Sequence, residues 1–392
     1  MKYDFDTAID RMKTASVKWD DAENLFGEKD ILPMWVADMD FKAPAPVIEA
    51  LKDRAEHGIF GYTMRPESYY DAVAGWMERR HSWTIEKEWI CHSPGVVPAL
   101  SFIVEAFTQP DDKIVIQTPV YYPFTKVVEQ NGRKLVHNPL KFEDGRYVMD
   151  YEDLKIKVSD PDVKMLILCS PHNPVGRVWT KEELIELGQI CIENNVLVVA
   201  DEIHFDLVYK AYQHTPFASI SEEFANHSII CTAPSKTFNL AGLQISNIII
   251  PNKKLRLTFS KTVENHFIGL SNTFGVTATE AAYRHGDEWL DQLMDYLQKN
   301  LEFMTEYIES HMSEIKVIKP EGTYLVWLDC RALGMGAKEL ERFMQKEAKV
   351  AFDEGYIFGK EGEGFTRVNI ACPRSLLEEA LKRIEKAIKT IR

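Results

Sequence analysis

Three short stretches carry the residues best suited to chemistry. Ala233-Pro-Ser-Lys236-Thr-Phe-Asn-Leu-Ala-Gly242 places one lysine in a loop of small residues directly after the apolar run 229–231. A lysine amine attacks a carbonyl only when neutral, and desolvation or a nearby cation moves it towards that state. Lys236 is therefore a candidate covalent catalyst. Asp201-Glu-Ile-His204 follows the apolar run 196–200, and Ser170-Pro-His-Asn173-Pro-Val-Gly176 follows the run 165–169. An amine, a carboxylate and an amide thus stand behind three apolar runs. That set suits a pyridinium aldehyde, which needs a lysine for the aldehyde, an aspartate to keep the ring nitrogen protonated, and a donor such as Asn173 for the phenolic oxygen. Each residue alone has a plainer reading: Lys236 as a surface lysine, Asn173 as an Asn-Pro turn, Asp201 as a helix N-cap. Their joint order favours the chemistry.

The elements that must position these groups follow from patterning. Short continuous apolar runs at 113–117, 165–169, 196–200, 229–231 and 248–250, spaced by helical stretches, are the pattern of buried parallel strands with crossovers. Between two of them, Thr180-Lys-Glu-Glu183 is a capping box opening a helix whose apolar positions Leu184, Leu187, Ile190 and Cys191 share one face. Residues 46–56 and 68–81 read as helices around a turn-rich loop, Gly58-Ile-Phe-Gly-Tyr62. A long helical pattern over 287–312 leads to strands at 323–328 and 366–371 and helices at 338–348 and 375–391. The expected fold is α/β: a large domain over 46–286 with a mostly parallel sheet flanked by helices, and a smaller α+β domain formed by 287–392 with an N-terminal arm, 1–45.

The chain has 392 residues, 45% hydrophobic and 27% charged, as expected of a folded protein of two or three units. A formal charge of −14 argues against a nucleic-acid partner, which needs clustered Lys and Arg. No run reaches the length of a membrane span, and the first residues lack the apolar core of a signal peptide, so a cytoplasmic location is expected. The 6 cysteines and 11 histidines form no Cys-x-x-Cys or His-x-x-x-His spacing. No metal site is expected.

The order Asn-Pro-x-Gly, Asp-Glu-x-His, Ser-Lys-Thr-Phe resembles the fold-type I pyridoxal phosphate enzymes of the class I/II aminotransferase family, over nearly the whole chain. More narrowly, Pro33-Met-Trp-Val-Ala-Asp-Met-Asp-Phe41, Asp201-Glu-Ile-His204 and Ser235-Lys-Thr-Phe-Asn-Leu-Ala-Gly-Leu-Gln244 resemble the MalY/PatB branch, whose members are cystathionine β-lyases, also called cysteine-S-conjugate β-lyases. The resemblance implies pyridoxal 5′-phosphate on Lys236, with Asp201, Asn173, His204 and Ser235 around it. It implies a phosphate at the backbone N–H groups of Val96 and Val97, where Ser93-Pro-Gly95 opens an apolar helical stretch to Phe107; an ordinary Pro-Gly turn is the alternative. It places Tyr121 on the cofactor ring and among the catalytic residues, although Tyr121 and Tyr122 would both also suit a core. It has Tyr62 reach across a homodimer interface to the other subunit's phosphate. Arg367 matches the arginine that grips the substrate α-carboxylate, against the alternative of a surface salt bridge.

The implied activity is β-elimination from L-cystathionine or a related sulfur amino acid, giving pyruvate, ammonia and a thiol, with Lys236 removing the Cα proton. Without a leaving group on Cβ the same residues would serve an aminotransferase, and an added regulatory binding role is a further alternative. Departures from the common aminotransferase pattern favour the lyase branch: Gln244 stands where an arginine usually binds phosphate, Ala233 replaces a Ser or Gly, and His204 replaces a Tyr. Phosphate then falls to Ser235, Thr232 and backbone donors.

Overall fold

The computed structural model describes residues 2–391. Its main sheet has seven strands, in spatial order Ile90–Ser93, Ser246–Ile249, Ser228–Thr232, Leu197–Asp201, Val163–Cys169, Lys113–Ile116 and Lys134–His137. The central strands are buried on both faces because helices cover both. Val96–Phe107, Pro123–Gln130 and Lys253–Asn265 supply one layer. Glu67–His81, Tyr151–Val158, Lys181–Glu193 and Thr273–His285 supply the other. The capping box forms as expected, with Thr180 Oγ1 accepting from the Glu183 N–H and Glu183 Oε2 from the Thr180 N–H.

One expectation fails. The run 248–250 belongs to Ser246–Ile249, which is antiparallel to both of its neighbours. A parallel neighbour requires a crossover that carries the chain back to the starting edge of the sheet. The loop bearing Lys236 instead stays at the edge where Ser228–Thr232 ends, so the next strand must return, pairing Asn247 with Thr232. All the other strands share one direction. Their carboxyl ends, at Ser93, Ile116, His137, Cys169, Asp201 and Thr232, therefore lie along one edge, where open α/β sheets bind ligands.

The long helix Asp287–His311 leads to a second sheet, in spatial order Lys316–Ile318, Leu325–Asp329, Phe365–Asn369 and Asp353–Glu354, antiparallel throughout. The helix expected at 338–348 is shorter, Ala337–Arg342, and ends in a π-helical turn over Phe343–Glu347. Arg374–Lys389 closes the fold as a helix with its Leu377, Leu381 and Ile384 face buried. Of the N-terminal segment, Leu32–Pro33 pairs in parallel with Val350–Ala351. All six cysteines are unpaired. Among the described residues no helix is long and apolar enough to cross a membrane, and no group of His, Cys, Asp or Glu has the arrangement of a metal site.

Candidate active site

The carboxyl edge of the main sheet encloses a cavity of about 200 Å³ lined by Val96, Val97, Tyr121, Asn173, Asp201, His204, Ser235 and Lys236, among others. Five strand ends thus deliver to one space the groups that the sequence scatters over residues 96–236. Adjacent registers explain the convergence: Cys169 pairs with Asp201, and Asp201 with Cys231. Asn173, Asp201 and Lys236 therefore leave neighbouring strands at the same level.

Lys236 sits on the first helical turn after Thr232. Its Nζ donates to the Ala37 carbonyl at 2.7 Å. Loss of surrounding water pulls its pKa down to about 8, Arg367 adds to the fall, and Asp38 and Asp201 oppose it. About a tenth of the amine is therefore neutral at pH 7, far more than for an ordinary lysine. Asp201 moves the other way: burial pushes its carboxyl up to about 7, against the Ile203 N–H bond and the Lys236 charge. Among the described residues no cation forms an ion pair with Asp201. A buried carboxylate is costly unless a cation meets it, and a protonated pyridine nitrogen is such a cation. His204 is buried with Nδ1 lacking a partner, and burial, then Lys236 and Arg367, hold its pKa well below the usual histidine value. It is a neutral imidazole, able to donate from one nitrogen.

Asn173 shows how the cavity is oriented. Arg367 Nη1 donates to Asn173 Oδ1 at 2.9 Å. Because a guanidinium only donates, this bond fixes which end of the amide is oxygen and leaves Nδ2 as a donor elsewhere. Arg367 is buried, at 2% exposure, so the surface salt-bridge alternative is excluded. Its charge is met by Asp353, by the Trp35 carbonyl at 3.0 Å, and by the Phe358 ring 4.9 Å away.

The opposite end of the cavity is different in kind. The helix Val96–Phe107 begins there behind Gly95, and the N–H groups of Val96 and Val97 have no acceptor within the helix. Ser235 and Gln244 also line the cavity. Thr232, expected as a phosphate donor, is not available: its Oγ1 donates to the Asn247 carbonyl at 2.9 Å, inside the sheet. Tyr121 lines the cavity, whereas Tyr122 and Arg367 do not. Tyr62 is 98% exposed and does not reach its own chain's cavity.

Sequence reasoning missed the part played by residues 35–39. Successive carbonyls of this segment are held by side chains: Trp35 by Arg367, Val36 and Asp38 by Asn369 Nδ2 at 2.6 Å each, Ala37 by Lys236 and by the Tyr324 hydroxyl at 2.8 Å, and Met39 by Asn239 at 2.8 Å. Backbone acceptors leave no residue-type signal. Asp353 was also missed, because only the strand register brings it to Arg367.

The donor set fits pyridoxal phosphate: an amine for the aldehyde, an unpaired buried carboxylate for the ring nitrogen, Asn173 and His204 for the phenolic oxygen, and a helix N-terminus for the phosphate. Known proteins agree. Cystathionine beta-lyase PatB of Bacillus subtilis is 50% identical over 98% of this chain and 99% of its own. Protein MalY of Escherichia coli is 33% identical over the whole of both chains. The crystal structure of cystalysin from Treponema denticola, which contains a pyridoxal 5′-phosphate cofactor, superposes with a TM-score of 0.97 at 43% identity, covering 100% of each chain. With residues 29–384 matched by the family model for aminotransferase class I and II, the chain belongs to that family of pyridoxal phosphate enzymes.

Proposed function

We propose that this protein is a pyridoxal phosphate-dependent carbon–sulfur lyase acting on L-cystathionine or related cysteine S-conjugates by β-elimination to pyruvate, ammonia and a thiol. The observation that carries the reading is the convergence of Lys236, Asp201 and Asn173 in one cavity, in a chain half identical to a cystathionine beta-lyase along its length. When bound, pyridoxal phosphate supplies an aldehyde for the substrate amine and a protonated ring that accepts electrons from Cα.

The chain's own residues do the rest. Lys236, its pKa lowered to about 8, takes the Cα proton once its amine is free; a base poised near the working pH is the effective one. Asp201 would hold the ring-nitrogen proton, Tyr121 would pack against the ring, and Asn173 and neutral His204 would donate to the phenolic oxygen. Arg367 orients the substrate through its α-carboxylate. Val96 N–H, Val97 N–H and Ser235 take the phosphate.

The phosphate end lacks a cation from this chain among the residues lining the cavity, apart from Lys236 itself. We assign its completion to Tyr62 of a second copy in a homodimer. The support is an exposed apolar surface around it: Ile59, Phe60, Met64, Phe267 and Leu270 are all more than half exposed, and monomeric proteins rarely leave such patches uncovered. The division into a large domain, 46–286, and a smaller one, 287–392 with the arm 1–45, accords with the separate seven-stranded and four-stranded sheets. A cytoplasmic location accords with six free cysteines.

The test is to mix the pyridoxal-loaded protein with L-cystathionine and follow pyruvate and homocysteine thiol together. Equimolar release over many turnovers, without added keto acid, is expected. Absence of thiol, with turnover that resumes only on adding a keto acid, would replace this reading by transamination.

A further inference from the structure

Asp353 and Arg367 are direct partners across an antiparallel pair in the smaller sheet, which sets their side chains on one face within reach of each other. A guanidinium grips a carboxylate through two parallel N–H bonds, either from Nε with Nη2 or from Nη1 with Nη2. Both modes use Nη2. Here Nη2 is committed twice, to the Trp35 carbonyl and to Asp353 Oδ2, and it has only two protons. Nη1 donates to Asn173, and the buried Nε–H has no acceptor at all.

We propose that Asp353 occupies the docking face of Arg367, so that a substrate α-carboxylate binds by displacing it. The inference rests on the reading of Arg367 as the substrate's carboxylate partner. Of the two acceptors on Nη2, the Trp35 carbonyl belongs to a backbone segment held at each successive residue, whereas among the described residues the Asp353 carboxylate is hydrogen-bonded to Arg367 alone. The guanidinium does not depend on Asp353 for its place. Asn173, the Trp35 carbonyl and the Phe358 ring all hold it independently. An anion at that face therefore acts mainly on the incoming anion: it competes for the same protons and repels the carboxylate. Asp353 is a specificity-determining residue that sets how strongly the site captures carboxylates.

The experiment compares wild-type holoenzyme with Asp353→Asn, Asp353→Ser and Arg367→Ala, measuring KM and kcat for L-cystathionine and Ki for propionate, a carboxylate with no amine. Both substitutions at 353 should lower KM and the propionate Ki by about tenfold, as expected for removing a charged competitor for a hydrogen-bonding face. The change should fall on KM more than on kcat. A raised Ki in both variants would make Asp353 a support for Arg367 and overturn the proposal. An unchanged Ki would overturn it as well. Arg367→Ala separates the two layers: a raised Ki there, with no fall at 353, removes only the competitor role. An Arg367→Ala Ki equal to wild type removes the assignment of Arg367 and the proposal with it.

Discussion

The two ends of the cavity are built on different principles. At the ring and substrate end, Asn173, Asp201 and His204 line the cavity and Arg367 stands behind Asn173, all of them buried and from a single chain, while burial displaces the pKa values of Asp201, His204 and Lys236. At the phosphate end, Gln244 and the neighbouring Ala241 and Gly242 are exposed, and the donors there are two backbone N–H groups and a hydroxyl. On the proposed assignment, the groups for the chemistry come from one subunit, while the anchoring is left open at a surface. Substitutions at the first end should therefore strike turnover, and those at the second should strike retention of the cofactor.

Lys236→Ala breaks the comparison most severely. It should lower turnover by at least about 10³-fold, since covalent anchoring and proton transfer both go, with no labelled residue after borohydride reduction. Asp201→Asn keeps the shape but not the charge, and should cost about 10²- to 10³-fold in kcat, read by steady-state kinetics. The pH dependence tests Lys236 in the apoprotein. Its amine, with a pKa of about 8, reacts only when neutral, so the rate of pyridoxal phosphate capture should rise as pH increases, by about tenfold from pH 7 to a plateau above 8. A midpoint near the ordinary lysine value would remove the electrostatic account. At the other end, Tyr62→Phe should weaken cofactor retention by about tenfold, measured by dialysis, with kcat of the loaded enzyme little changed. Gln244→Arg should tighten retention by about threefold, a small gain because the position is exposed and a surface charge is screened.

What could be read in the sequence divides along similar lines. Asn173, Asp201 and Lys236 were legible because a chemically distinctive side chain stands within a few residues of the end of a buried run, and the parallel sheet then brings the run ends together without further information. The direction of Ser246–Ile249 was not legible: an apolar run of three residues looks the same in either orientation, and only the path of the Lys236 loop decides it. Thr232 read as a phosphate donor because its type and place suit that task, but in the sheet its hydroxyl is turned to the Asn247 carbonyl. Asp353 was invisible for another reason. Its meaning lies in a strand register with residue 367, and nothing in the residues between them states that register.

The segment 35–39, latched at each carbonyl, has a consequence for the history of the chain. The bond from Lys236 to Ala37 joins residues 199 apart, Arg367 to Asn173 spans 194, and Arg367 to Trp35 spans 332. Contacts of such separation form late, because the loops they close must first be ordered. During synthesis the lysine, the aspartate and the helix N-terminus are all present well before Arg367 leaves the ribosome. The bonds from Arg367 to Asn173 and to Trp35 therefore cannot close until almost the whole chain has been made.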